Sequence, residues 1–280
     1  MGYSIFDDTM CDMTWVEIEK VFQQDEPIVL WPTGVLEEHG PHMTLAIDIY
    51  FSYLLTTRIK EKITRDNIPT IIAPPNYWGI NNVTAAFPGS FTLRKETLKA
   101  LIFDCLSCLK RWGADYVFVI DIHGDVNHRS IILDAIREAR IGCGIRAYGI
   151  VPRSFARYKK LTGEEEHILI KPNNEIERQF TETPDIHAGA FEGSIVKEFF
   201  PEQFKAEVAE ALEPTRLSKD DWKKWASGWS DARKVIPFGY NGDPKRINTD
   251  LAIRYLESES EVFANLIKDF LAGNYTSPEV

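Results

Sequence analysis

Two short segments concentrate imidazoles and carboxylates in a way that suits divalent-metal chemistry. The first, Pro32-Thr33-Gly34-Val35-Leu36-Glu37-Glu38-His39-Gly40-Pro41-His42-Met43-Thr44-Leu45-Ala46-Ile47-Asp48, carries two histidines and three carboxylates. The second, Asp121-Ile122-His123-Gly124-Asp125-Val126-Asn127-His128, again sets histidine beside carboxylate. Imidazole and carboxylate together bind zinc, manganese and similar ions, and the glycines and Pro41 let the chain fold back so that Glu37, His39 and Asp48 converge. A His-x-Asp beside glycine, as in His123 and Asp125, can present two ligands to one cation. A third segment, Asp185-Ile186-His187-Ala188-Gly189-Ala190-Phe191-Glu192-Gly193-Ser194, supplies a proton-transfer candidate. His187 titrates near working pH, and Glu192 either binds metal or orients that histidine. Each segment also has a plainer reading. Glu37, Glu38 and Asp48 could be surface charges with Asp48 an N-cap, His128 could simply start a helix, and Glu192 could be a solvated residue of a capped helix.

The elements that must position these residues follow from hydrophobic period. Apolar β-branched runs at 28–31, 70–73, 116–120 and 147–151 predict strands, the second ending at Pro74-Pro75. Apolar residues three or four apart predict helices over 14–22, 48–62, 94–112, 129–140, 193–200 and 251–271. Strands alternating with helices predict an α/β fold around a mainly parallel sheet flanked by helices. Ligands of such sheets gather beyond the strand carboxyl ends, so the segments after Trp31 and Ile120 should face one cleft. The stretches 159–183 and 212–250, the latter holding Trp222, Trp225 and Trp229, read as excursions from one domain spanning 1–280.

Bulk properties narrow the function further. A formal net charge of -10 without a basic stripe excludes a nucleic-acid backbone as partner. Met1-Gly2-Tyr3 and the residues after it carry neither a basic start nor an apolar run, and no stretch is long enough to span a bilayer. No membrane partner and cytoplasmic residence are expected. Cys105 and Cys108 form a C-x-x-C inside a helix-period run, where they read as core thiols rather than a redox or metal pair.

The motifs resemble the creatininase family of metal-dependent amidohydrolases. Gly34-Val35-Leu36-Glu37-Glu38-His39-Gly40-Pro41-His42-Met43 with the later Asp48 is similar to the family's G-x-x-E-Q-H-G-P-H-L and its following aspartate. Asp121-Ile122-His123-Gly124-Asp125 resembles its N-G-H-x-x-N element, and His187 through Ser194 its H-A-G-x-x-E-T-S. Phe87-Pro88-Gly89-Ser90-Phe91-Thr92-Leu93 and Gly242-Asp243-Pro244 are similar to its F-P-G-T-x-S-L and G-D-P. The resemblance implies a creatininase-like layered α/β sandwich that assembles as a homo-oligomer, in the family a hexamer. It also implies two divalent ions per subunit, Zn, Mn or Fe. By it, Glu37, Asp48 and His123 would hold one ion and His39, Asp48 and Asp125 the other, Asp48 bridging, with His187 shuttling protons.

Departures bear on the substrate. Asp121 replaces the family's asparagine, Asn127 falls one place late, and Asp125 is shorter than the glutamate of creatinine-opening members. Gly124, Thr183 and Pro184 stand where those members place aromatic residues, so a flat creatinine ring would lack its stacking partners. The expected activity is therefore opening of a cyclic or small amide-like substrate other than creatinine by metal-activated water. One alternative keeps the metals but cleaves a carbon–carbon bond in a cyclic diketone derived from inositol or a similar polyol, which Arg129, Arg153, His128 and Asn127 could grip. Another is a non-catalytic metal-binding protein on the same scaffold.

Overall fold

The computed structural model describes residues 4–180 and 185–278; the Met1-Gly2-Tyr3 start and the Thr183-Pro184 pair lie outside the described residues. Five strands form one sheet: β1 (Ile28–Thr33), β2 (Thr70–Ile72), β3 (Tyr116–Asp121), β4 (Arg146–Pro152) and β5 (Ile168–Lys171). All neighbours are parallel, in the order β2-β1-β3-β4-β5. The helices in chain order are α1 (Trp15–Gln24), α2 (Ile47–Thr64), α3 (Lys95–Trp112), α4 (Val126–Cys143) and α5 (Arg153–Lys159), then α6 (Ala190–Phe199), α7 (Ala206–Ala211), α8 (Lys219–Ser227), α9 (Trp229–Val235) and α10 (Thr249–Leu271). No helix among the described residues is long and apolar enough to cross a membrane.

The strands are continuous apolar runs because a parallel sheet is buried on both faces. Leu30, Phe118 and Ile120 pack with Phe51, Leu55 and Ile59 of α2 and with Tyr255 and Phe263 of α10. Val29, Trp31, Val117 and Val119 face the other way, toward Leu98, Ile102 and Leu106 of α3 and Ile132 and Ile136 of α4. The chain leaves β1 toward β2 on one side and returns to β3 on the other. The sheet therefore has its switch point between the carboxyl ends of β1 and β3, where Thr33 pairs with Asp121.

Local sequence accounts for the boundaries. Thr14 and Glu17 form a reciprocal capping box that starts α1. The fourth helix begins at Val126 rather than near Arg129, because Asp125 caps it with a side-chain oxygen on the Asn127 and His128 amides. Asp48 is not a cap: α2 starts one residue earlier, at Ile47, and Asp48 lies buried in its first turn. The segment 159–183 contributes β5, and 212–250 contributes α8 and α9, so both hold regular structure where only excursions were expected. A four-residue strand such as Ile168–Lys171 gains its stability from pairing with β4, which no local pattern reports. Cys105 and Cys108 are half-buried free thiols on α3.

The close approach of β1 to α2 sets the site's spacing. A side chain at Gly34 would place its Cβ 2.9 Å from the carbonyl carbon of Asp48, so glycine lets the strand exit abut the first turn of α2. Replacing Gly34 with Ala is expected to lower unfolding free energy by about 1–3 kcal/mol through overpacking. Urea denaturation measures it, and an unchanged midpoint would show that this contact yields freely.

Candidate metal centre

The strand exits deliver their residues into one buried cluster. Glu37, His39, Asp48 and His123 are each at most 5% exposed. The Nδ1 of His123 lies 3.1 Å from Glu37 Oε1 and 2.9 Å from Asp48 Oδ2, while His39 Nε2 lies 3.4 Å from Asp48 Oδ1 and 3.9 Å from Glu192 Oε2. Two sets of ligand atoms are compact enough to surround one cation each: Glu37, Asp48 and His123, and His39, Asp48 and Glu192. Asp48 belongs to both. A third such set, Glu37, His39 and His187, overlaps them.

Backbone carbonyls fix the tautomers. His123 Nε2 lies 3.1 Å from the Ile80 carbonyl, His39 Nδ1 3.2 Å from that of Glu37, and His187 Nε2 2.7 Å from that of Glu38. A carbonyl oxygen only accepts, so each of these ring nitrogens carries a proton and the other nitrogen is left to bind a cation or accept a proton. For His39 and His123 that second nitrogen is the one facing the carboxylates, which is how outer partners orient imidazole ligands toward a metal. His39 Nε2 is also buried without a hydrogen bond among the described residues. Donor set, burial and tautomers thus fit divalent ions.

Charge explains the titration. Burial disfavours the imidazolium of His123, but the Glu37 and Asp48 carboxylates outweigh it and hold that pKa well above the histidine range. Burial likewise opposes ionisation of Glu37 and Asp48, and the histidines overcome it, so both carboxyls titrate below their ordinary range. Thr84 Oγ1 donates to Glu37 Oε2 at 2.6 Å and fixes that carboxylate further. Burial with nearby His39 pushes His42 down to about 4; that ring packs between Phe204 and Tyr240 as a neutral core residue rather than a ligand.

Asp125 is placed differently from expectation. Its Oδ1 accepts from the Asn127 and His128 amides at 2.7 and 3.1 Å, and its Oδ2 from the Asn82 amide at 2.9 Å. Both oxygens thus serve backbone N–H groups, Asp125 joins neither carboxylate–imidazole set, and Glu192 stands in the second set instead. His128 and Arg129 are buried, not free to meet a substrate. Ile80 N donates to His128 Nδ1 at 3.2 Å, and Arg129 donates to Asp121 at 3.2 Å and to the His123 carbonyl at 2.8 Å. Asp121 is held ionised, against burial, by His128 and Arg129, which is why a charged aspartate suits the position.

Several residues of the site escaped the sequence reading. Glu38 is buried, with Oε2 accepting from Gly40 N at 2.9 Å and Oε1 lying 3.5 Å from His187. Its only sequence signal was the motif, which does not separate it from Glu37. Asn82, Thr84 and Trp225 line a cavity with Glu37, His123 and Asn127, and nothing in their sequence context marked them as site residues.

The family model described as "Creatininase: Creatinine amidohydrolase" matches residues 11–267. The chain is 27% identical over 168 residues to creatinine amidohydrolase of Pseudomonas putida, covering 57% of this chain and 61% of that protein. It is 29% identical over 104 residues to the mycofactocin precursor peptide peptidase of Mycolicibacterium smegmatis, covering 36% of this chain and 41% of that protein. The matches thus span about three-fifths and two-fifths of these relatives' lengths. Among solved structures, one described as "Creatininase Mn" superposes with a TM-score of 0.69 at 19% identity, over 94% of this chain and 98% of that one. A mutant creatininase of "Zn-Zn type" gives 0.68 at 18%, over 96% and 99%. At such identities the likeness establishes the fold.

Two outcomes are expected here. Asp125→Ala should cost about 0.5–2 kcal/mol of stability through the lost cap while leaving metal content unchanged; elemental analysis showing lost metal would mean that Asp125 leaves its cap to bind an ion. Because the carboxylates keep His123 protonated in the metal-free protein, metal uptake at neutral pH should release protons and tighten as pH rises. Titration with an indicator dye reads this, and a pH-independent affinity would contradict it.

Proposed function

The chain belongs to the creatininase family, and on that premise we propose that it is a hydrolase dependent on two divalent ions that opens a cyclic or small amide-like substrate. The observation that carries the reading is the pair of ligand sets sharing Asp48, each completed by an imidazole whose tautomer a backbone carbonyl fixes. Glu37, Asp48 and His123 would hold one ion, and His39, Asp48 and Glu192 the other. When bound, such ions supply Lewis acidity, polarising a carbonyl and making water nucleophilic near neutral pH. Zinc or manganese suits this mixed donor set, as would iron.

The protein's own part is to orient and to move protons. His187 is held by the Glu38 carbonyl through Nε2, which leaves Nδ1 as the mobile proton site, 4.0 Å from Glu37 Oε1. Burial disfavours its charged form, yet Glu37 and Glu38 raise its pKa well above the ordinary value, so it can hold a proton destined for a leaving nitrogen. Glu192 accepts the Ala188 amide, which steadies the backbone next to His187. Amide cleavage requires that proton delivery, whereas carbon–carbon cleavage requires stabilisation of an enolate; the peptidase and amidohydrolase relatives favour the first.

Asp48→Ala is expected to lose metal and turnover together. His187→Gln is expected to keep metal content near normal and lower the rate by about 100-fold or more. Undiminished turnover would remove His187 from the mechanism. Release of ammonia or amine from a panel of cyclic amides is the direct assay; a ring-opened keto acid formed from an inositol-derived diketone, with no amide turned over, would overturn the amide reading in favour of carbon–carbon cleavage.

A further inference from the structure

The metal-facing cavity, about 320 Å³ in volume, is bounded by Glu37, Asp48, His123 and His187 on one side and by α8 on another. From α8 come Trp225 and Ala226. The indole Nε1 of Trp225 is buried and has no hydrogen-bond acceptor among the described residues. A donor so placed marks the indole as fixed by packing rather than by hydrogen bonding.

The ring is held in place from behind. Trp222 meets it edge-on at 5.4 Å and 79°. Beyond it the chain turns at Gly228, with φ of 77°, where any Cβ would lie 2.3 Å from the Asn82 carbonyl oxygen. That same oxygen accepts from Trp229 N at 2.8 Å, and Arg233 donates to the Ala86 carbonyl at 2.7 Å while stacking over Phe87. The helical pair α8–α9 is therefore pinned to the 81–87 loop, whose Asn82 amide and Thr84 hydroxyl hold Asp125 and Glu37. The indole and the metal ligands share one rigid mount.

We propose that Trp225 is a specificity-determining residue of this cavity, an aromatic wall against which a compact, flat or C–H-lined ring packs. The inference rests on the hydrolytic reading only for what happens to that ring afterwards. The cavity is at the small end of the range of about 300–1,000 Å³ found for ligand sites, which favours a small ring over an extended chain. The indole face stacks on a flat or C–H-lined ring, and Nε1, which has no exposed surface, takes no part in the contact. Asn127 at the α4 entrance adds an amide to the same cavity. An aromatic partner thus reaches the substrate from α8 rather than from position 124, which is glycine.

The test is calorimetric binding to the metal-loaded protein, with glutarimide as a cyclic imide, myo-inositol as a polyol ring and glycylglycine as an extended amide. At least one ring should bind. Trp225→Phe, which keeps an aromatic face, should weaken it by about 2-fold at most, and Trp225→Ala by about 10-fold or more, with metal content unchanged in both. Gly228→Ala, which cannot keep the turn against Asn82, should reproduce the loss with the indole intact. Equal affinity in wild type and Trp225→Ala, binding of neither ring to wild type, or Trp225-dependent binding of glycylglycine alone would each overturn the proposal. Because heat rather than turnover is read, a protein that binds a ring through Trp225 but hydrolyses none would sink the hydrolytic reading and leave this one standing.

Discussion

Glu37 and Asp48 are both buried and both reach the same nitrogen of His123, at 3.1 and 2.9 Å, so their mutual repulsion must be offset locally. Two carboxylates at this spacing cannot both ionise in a dry site without positive charge between them. Imidazolium supplies that charge in the metal-free protein, and a divalent ion can take its place. The backbone arrangement around the cluster follows from this requirement: carbonyls of Glu37, Glu38 and Ile80 hold the three ring orientations that make the exchange of proton for metal possible.

The same need for compensation recurs one layer deeper. Asp121 ends β3 under the cluster, between Thr33, His128 and Arg129. Arg129 also donates to the carbonyl of His123, so the ion pair that stabilises the buried aspartate doubles as a clamp on the His123 backbone. An asparagine at position 121 would leave the Arg129 guanidinium without its counter-charge, which gives a structural reason for the departure from the family's motif.

The loop from Asn81 to Phe87 joins the carboxylate–imidazole cluster to the pair α8–α9. On its inner face it reaches Glu37 and Asp125; on its outer face it receives α8 and α9. Changes that move this loop would therefore be felt at Glu37, at Asp125 and at α8 together. The Phe87-to-Leu93 segment supports it from behind, with Ser90 Oγ accepting from the Glu38 amide and the Phe91 carbonyl accepting from Asn81.

The sequence alone determined four of the strands, the longer helices and the candidate ligand types. Runs such as Tyr116–Asp121 and the period of Lys95–Trp112 are local signals, since burial on both sheet faces or one helix face writes itself into adjacent residues. The motif histidines and carboxylates were equally legible as candidate ligands, because few residue types can bind a metal. What the tertiary structure decided was position in space. Asp125 and Glu192 are both carboxylates within a motif, yet only the start of α4 commits the first to its amides while α6 brings the second to His39. Trp225 lies in none of the motifs and meets the cavity where Gly228 packs on Asn82. Strand β5 exists by pairing with β4. Local periodicity encodes how a segment folds; which distant segments share a cavity is set by long-range packing, which leaves no regular trace in the order of the residues.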